Sequence, residues 1–334
     1  MNNLPIEVKS IISSLLDLRS QVNFVFISKT NRNLIHYWKI TIKVYINEEI
    51  LKLSYFDCFE NIKINKLLDH YPKSLNSLTI DYNEIINKPI PSLITYLKFG
   101  NTFNKSIKNC IPSSVIHLIF GNHFNQSIKD CISLSVTHLT FGHRFDTSID
   151  GCIPSSVTHL IFGHDFNRPI ENCIPSSVTH LVFGHYFNQS IKNCIPSSVT
   201  YLIFGSCFNQ PIKDCIPSFV AKLVFGRCFN QPIEKSIPTL VKILEFGRKF
   251  NKPIEDCIPL SVIKLIFGRN FNQSIKNNIP SSVEYLVFGR YFNQSIENYI
   301  PSSVKYLEFY RKTKKIKKEY IPSSVQMLIF RKQF

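Results

Sequence analysis

Apolar residues recur along most of this chain at a fixed interval of 21 residues. One set is a column of leucines: Leu97, Leu118, Leu139, Leu160, Leu181, Leu202, Leu223, Leu244, Leu265, Leu286, Leu307 and Leu328. Another is a column of phenylalanines: Phe103, Phe124, Phe145, Phe166, Phe187, Phe208, Phe229, Phe250, Phe271 and Phe292. Because the residues between them vary, we interpret the chain as an array of repeats whose apolar positions are buried.

One unit, residues 153–173, shows which elements this pattern predicts. Val157, Leu160 and Phe162 lie on one side of an extended segment, which indicates a short strand that ends at Gly163. The return segment carries further apolar residues: Phe166, Ile170 and Ile174. A single unit cannot bury these side chains alone, but stacked units share one core. We therefore predict a mainly β solenoid of about 13 short coils.

The motifs FNRPI at residues 166–170 and FNQPI at residues 208–212 are joined to stretches such as IPSSVTHLIFG. Together they resemble the FNIP repeat, a short relative of the leucine-rich repeat. The resemblance covers residues 71–334, where a degraded first copy reads YPKSLNSLTI. It implies a β-solenoid with leucine-rich-repeat-like coils that binds proteins. No catalytic residues come with that family.

Residues 1–40 show helical spacing instead, as Val8, Ile11 and Leu15 illustrate. The segments LPIEV, LLDL and ISKTNRNLI resemble an F-box, a helical module that docks on the Skp-type adaptor of a cullin-RING ubiquitin ligase. The resemblance implies an adaptor-binding surface of five residues: Leu4, Pro5, Ile6, Glu7 and Leu16. The alternative is a plain helical cap that covers the open end of the solenoid.

Residues 41–70 connect the head to the repeats, and we expect them to cap the first coil. TIKVYIN alternates like a strand, whereas NIKINKLLDHY, residues 61–71, is compatible with helix or coil. The predicted organisation is therefore an F-box-like head at residues 1–40, this connecting segment, and a solenoid at residues 71–334.

The residues on either side of the repeat leucine vary, and strand alternation directs both away from the core. They form a histidine and tyrosine stripe beside an aliphatic one, as is typical of protein-binding surfaces. We expect the target-binding residues to be His117, His138, His159, His180, Tyr201, Ile161, Val182, Ile203, Tyr285 and Tyr306. The alternative is that part of the stripe lies under a neighbouring loop. With the F-box resemblance, this predicts a ligase subunit that holds a protein target on a concave sheet.

Three residue types that recur in columns have structural explanations. Asparagine follows the repeat phenylalanine in most units, and we interpret it as a turn residue that satisfies backbone groups. Histidines form two columns, but a column sets side chains parallel instead of directing them to one ion, so no metal site is expected. Seven of the ten cysteines share one repeat position, and other residues interrupt that column, which favours small buried fillers over disulfides.

The formal net charge is +16, and part of it lies in a row of arginines. The row contains Arg227, Arg248, Arg269, Arg290 and Arg311. It suits a phosphate backbone or an acidic protein, and a solvated edge is the other explanation. A basic solenoid that binds nucleic acid or another polyanion, with the N-terminal helices only a cap, is therefore the alternative function.

No glycine-rich phosphate loop, nucleophile elbow or isolated carboxylate pair interrupts the repeats. We therefore predict a non-enzymatic protein without a cofactor. No apolar run approaches the roughly 18 residues of a membrane span, and no secretion-signal pattern is present. These observations predict an intracellular protein, in the cytoplasm or nucleus, with reduced cysteines.

Overall fold

The structure is a computed structural model that describes residues 43–52, 56–310 and 316–331. The predicted F-box-like head at residues 1–40 lies outside the described residues. So do its expected adaptor-binding residues and one member of the arginine row: Leu4, Pro5, Ile6, Glu7, Leu16 and Arg311. What the sequence predicts for these residues stays a prediction.

The described chain forms a sheet of 15 parallel strands that follow one another in chain order. The strands are β1 (Val44–Tyr45), β2 (Asn61–Ile64), β3 (Ser77–Ile80), β4 (Tyr96–Phe99), β5 (His117–Ile119), β6 (His138–Thr140), β7 (His159–Ile161), β8 (His180–Val182), β9 (Tyr201–Ile203), β10 (Lys222–Val224), β11 (Ile243–Glu245), β12 (Lys264–Ile266), β13 (Tyr285–Phe288), β14 (Tyr306–Phe309) and β15 (Met327–Phe330). The described helical elements are α1 (Glu48–Leu51) and two 3-10 turns, Phe56–Cys58 and Lys318–Tyr320. The predicted mainly β solenoid is confirmed.

The segment at residues 41–70 contributes β1 and β2 to the same sheet. β2 pairs in parallel with β3 along its whole length. For residues 61–71 the sequence left helix and coil open, and the structure instead begins this segment with a strand. Ile62 and Ile64 are buried, so β2 continues the core of the repeats.

Each repeat forms one coil, because strands one repeat apart pair in register. Leu160 lies opposite Leu139 on one side and Leu181 on the other. The column leucines from Leu97 to Leu307 have no exposed surface. Leu328 is 39 % exposed, since β15 is the last strand of the described sheet.

Two columns of phenylalanine rings form the core behind the sheet. The ring of Phe162 lies 4.1 Å from that of Phe166 in the same coil and 5.6 Å from that of Phe183 in the next. Phe166 stacks in turn 6.2 Å from Phe187. Each ring thus contacts its own coil and both neighbours, so the coils stabilise one another.

A tight turn ends the return segment of each coil. In the turn Ile170–Cys173, the amide of Cys173 donates to the carbonyl of Ile170 at 3.2 Å, and Asn172 has a φ of 55°. Nine of the ten residues at this left-handed position are Asn, Asp or Gly, which adopt it at low cost; the exception is Lys235. The Cys173 thiol donates to the carbonyl of Glu171 at 3.1 Å, and the ten cysteines are free.

The asparagines after the repeat phenylalanine form a hydrogen-bonded ladder between coils. The backbone N–H of Asn209 donates to Oδ1 of Asn188 at 2.8 Å. Oδ1 of Asn209 accepts in turn from the backbone N–H of Asn230 at 2.8 Å. Asp146 acts in the same way towards the backbone of Asn167, at 2.9 Å. The structure confirms that these side chains satisfy backbone groups, and the groups belong to the next coil.

The glycine after each strand permits neighbouring coils to approach closely. A Cβ atom on Gly205 would lie 1.6 Å from the carbonyl oxygen of Gly184, far inside any allowed contact. Gly151 has a different role, because its φ is +63° and no heavy atom would lie within 4 Å of an added Cβ. The column glycine is therefore required by packing, whereas Gly151 serves the left-handed turn.

We expect Gly205→Ala to lower the free energy of unfolding by about 3 kcal/mol, because the added methyl group displaces the backbone of the neighbouring coil. Urea denaturation measures the loss. Gly151→Asn is the control: most other coils carry Asn or Asp at its position, so its stability should stay within about 0.5 kcal/mol of the parent. Equal losses in the two variants would contradict the packing explanation.

We expect Asn209→Ala to cost about 1–3 kcal/mol, because it leaves the backbone N–H of Asn230 without its acceptor. Asn209→Asp keeps a carboxylate oxygen in place, as Asp146 does naturally, and should cost less than half as much. Hydrogen exchange of the Asn230 amide provides the direct measurement. Unchanged protection of that amide in Asn209→Ala would show that the ladder is not required.

Candidate functional site

The residues that flank the buried leucines form a continuous surface on the sheet. In β7, Leu160 has no exposed surface, whereas His159 is half-buried and Ile161 is 40 % exposed. We call this surface the outer sheet face. The ten residues predicted to bind a target all lie on it: His117, His138, His159, His180, Tyr201, Ile161, Val182, Ile203, Tyr285 and Tyr306.

Four histidines of the outer sheet face form a stack of imidazole rings. The ring centroids of His138 lie 4.2 Å from His117 and 4.1 Å from His159, and His180 follows His159 at 4.1 Å. Tyr201 extends the stack at 5.2 Å. Since ring faces cover one another, the stack presents ring edges to solvent.

Threonine hydroxyls determine which ring nitrogen of His159 and His180 carries the proton. The hydroxyl of Thr158 lies 3.2 Å from the carbonyl of Thr137 and 2.9 Å from Nδ1 of His159. Because a carbonyl only accepts, the hydroxyl donates to it, and Nδ1–H of His159 donates to the hydroxyl. The neutral ring is then left with Nε2 as a hydrogen-bond acceptor. Thr179 and His180 repeat this arrangement at 3.2 Å and 2.9 Å.

The outer sheet face changes character towards β14. The aliphatic column gives way to Glu245, which forms an ion pair of 3.0 Å with Lys264. Val287 is 5 % exposed and Glu308 only 1 %. Val287 and Glu308 are therefore buried on this face, whereas Ile266 is half-buried.

The carboxylate of Glu308 is held on both sides. The hydroxyl of Tyr306 donates to Oε2 of Glu308 at 2.6 Å, and Arg331 forms an ion pair with the other oxygen. Hydrogen bonding to Glu308 raises the pKa of Tyr306, because the neutral hydroxyl is the donor. Oε1 has no hydrogen-bond partner among the described residues, so Arg331 contacts it as an ion pair only.

The position after the repeat glycine forms a second column along the edge of the outer sheet face. It holds His143, His164, His185, Ser206, Arg227, Arg248, Arg269 and Arg290. The sequence analysis treated a histidine column and an arginine row as separate features. In the structure both belong to this one column. Among the described residues, no carboxylate lies within ion-pair distance of the four arginines.

Two histidines of this column converge on a carboxylate. Nδ1 of His164 donates to Oδ1 of Asp165 at 2.6 Å, and Nδ1 of His143 lies 3.5 Å from Oδ2. The hydrogen bond from His164 lowers the pKa of Asp165. The ligand atoms of His143, His164 and Asp165 lie within 4.8 Å of one another, as in no other group of three or more His, Cys, Asp or Glu residues of the described chain. The two imidazole rings stack at 4.1 Å. Sequence reasoning missed Asp165, which lies outside the histidine columns.

We expect acid to destabilise the solenoid through the stacked histidines. Burial lowers the pKa of His138 and His159, and the neighbouring imidazoles lower it further. The neutral forms of His138 and His159 therefore contribute stability that is complete above the unfolded pKa of about 6.5, and that is lost as the pH falls through the lower folded pKa.

The double variant His138→Gln/His159→Gln should lose less stability than the parent between about pH 7.5 and about pH 5. Urea denaturation at each pH measures this. His123 is exposed and its substitution by Gln should leave the acid sensitivity unchanged. Identical pH profiles for the parent and the double variant would contradict the role of the stack.

No helix in the described residues is long and apolar enough to cross a membrane. Among solved structures, the chain is similar to that of CroV588, a circular leucine-rich-repeat protein, with 38 % sequence identity and a TM-score of 0.74. The similarity covers 81 % of this chain and 43 % of the CroV588 chain, so this chain spans less than half of that protein.

YopM from Yersinia enterocolitica WA-314 is similar at 16 % identity and a TM-score of 0.48, over 82 % of this chain and 64 % of that one. No curated protein matches this chain in sequence. Matches to the FNIP Repeat family cover residues 82–123, 124–165, 166–207, 208–249, 229–270, 250–291 and 271–312. Because these matches extend over more than half of the chain and contain the residue ladders that join its coils, the chain belongs to the FNIP repeat family.

Proposed function

We propose that this protein is a non-enzymatic scaffold that binds a protein target on its outer sheet face. The observation that carries the proposal is the continuous strip of ring edges and aliphatic side chains on that face, of which Ile161 is 40 % exposed. Apolar and aromatic groups in one strip are the surface composition that favours a protein partner. The Nε2 atoms of His159 and His180 would accept hydrogen bonds from that partner.

We further propose that the protein is the substrate-recognition subunit of a cullin-RING ubiquitin ligase. In this proposal the F-box-like residues 1–40 recruit a Skp-type adaptor, and the partners supply the chemistry. The support is the sequence of that segment, LPIEV followed by LLDL and ISKTNRNLI. Its position ahead of a repeat array would place adaptor and target on different parts of one chain.

The full chain should bind a purified Skp-type adaptor, and the double variant Leu4→Asp/Leu16→Asp should weaken that binding by at least about tenfold, because it puts charges into an apolar contact. Isothermal titration calorimetry provides the affinities. Removal of residues 1–40 should abolish binding.

The matched control is the double variant Ile161→Asp/Ile203→Asp, which introduces the same two charges on the outer sheet face and should leave adaptor affinity unchanged. Failure of the full chain to bind the adaptor would remove the ligase proposal. It would leave the scaffold proposal in place, because that rests on the solenoid surface alone.

A further inference from the structure

A cavity of about 500 Å³ lies on the outer sheet face near its C-terminal end. Ile266, Val287 and Tyr285 contribute apolar and aromatic surface from strands β12 and β13. Arg269 and Arg290 border it from the column after the repeat glycine. Its volume lies within the range of small-ligand sites, about 300–1,000 Å³, and such sites combine an apolar lining with a few polar groups.

The cavity is electropositive. Arg248 lines it together with Arg269 and Arg290, and none of these three has an ion-pair partner in the described part of the chain. Glu308 is the carboxylate in the lining, and it is already engaged by Tyr306 and Arg331. Three guanidinium charges thus remain without a neutralising group.

Arg269 carries the most direct indication of a missing partner. Its Nε–H is shielded from solvent and has no hydrogen-bond partner among the described residues. Its Nη2 donates to the hydroxyl of Tyr291 at 3.3 Å, and the guanidinium lies 5.3 Å from the centre of that ring. These contacts hold the guanidinium in place at the border of the cavity.

Tyr291, which contacts Arg269 but does not line the cavity, is affected by the same local charge. The pKa of Tyr291 is lowered, first by the hydrogen bond from Arg269 and then by the charges of Arg269, Arg290 and Arg248. A positive field that favours a phenolate also favours a bound anion.

The spacing of the arginines favours a phosphate over a carboxylate. Adjacent coils lie about 4.8 Å apart, so two planar guanidinium groups can donate to different oxygens of one tetrahedral group. A carboxylate carries one charge and two acceptor oxygens, whereas a phosphate monoester carries up to two charges and three acceptor oxygens. The apolar lining beside the arginines suits an aromatic ring attached to that phosphate.

We propose that this cavity binds a phosphorylated tyrosine side chain of the protein partner, with Arg269 and Arg290 on the phosphate and Ile266 and Val287 against the ring. The inference rests on the proposed protein-binding function and names the chemistry that the partner presents. In this proposal the arginine row binds a phosphorylated protein and not a nucleic acid.

The probe is phosphotyrosine amide, titrated into the full chain and followed by isothermal titration calorimetry. We expect it to bind at least tenfold more tightly than tyrosine amide or inorganic phosphate, because both halves of the cavity contribute. The double variant Arg269→Gln/Arg290→Gln should weaken phosphotyrosine amide binding at least tenfold.

Arg227→Gln is the matched control, because Arg227 belongs to the same row but does not line the cavity, and binding should be unchanged. Val287→Ala, which removes ring contact but no charge, should weaken phosphotyrosine amide and leave inorganic phosphate unaffected. Thermal unfolding of each variant checks that the solenoid is intact.

Equal affinity for inorganic phosphate and phosphotyrosine amide would overturn the inference, as would an equal loss in Arg227→Gln, which would indicate a diffuse basic surface. Binding of a single-stranded RNA that is tighter than that of the probe and depends equally on all four arginines would assign the row to nucleic acid. The assay uses neither adaptor nor target, so its result is independent of the adaptor experiment.

Discussion

The spacing between neighbouring coils governs this structure. Parallel strands repeat at about 4.8 Å, so each residue of a coil meets the same repeat position in the coils before and after it. A side chain persists in a column only if it packs against copies of itself. Phenylalanine rings stack, asparagine side chains accept the next backbone N–H, and glycine leaves room for a carbonyl oxygen. Stability is therefore shared along the array.

The same constraint explains where function can reside. Interior columns are restricted by packing, whereas the columns on the outer sheet face and beside it vary along the chain. Their composition changes from stacked histidines and aliphatic residues at β5–β10 to arginine, tyrosine and glutamate further on. One regular scaffold thus carries two chemically different regions, an apolar strip and a cationic cavity, on the same surface.

Both regions are suited to binding, whereas the proposed function assigns catalysis to partner proteins. The described residues offer a long surface and a partly enclosed cationic cavity, both suited to recognition of another protein. Three arginines that line that cavity have no ion-pair partner among the described residues, which favours a ligand of opposite charge. Under the proposed function, the solenoid would select the partner, while the residues ahead of it would connect the complex to the proteins that perform catalysis.

The coils and their order follow from the sequence, because burial in a regular stack depends only on position within the repeat. Leu160, Phe166 and the asparagine column could be assigned to the interior or the ladder from spacing alone. Residues 61–64 could not be assigned to a strand, because that coil lacks the 21-residue spacing. The sequence could not predict that Asp165 contacts two histidines, or that Arg331 lines the cavity, for a different reason. These contacts depend on the directions of side chains from several coils. Those directions are fixed only in the stacked structure, because neighbouring side chains then occupy the space around them.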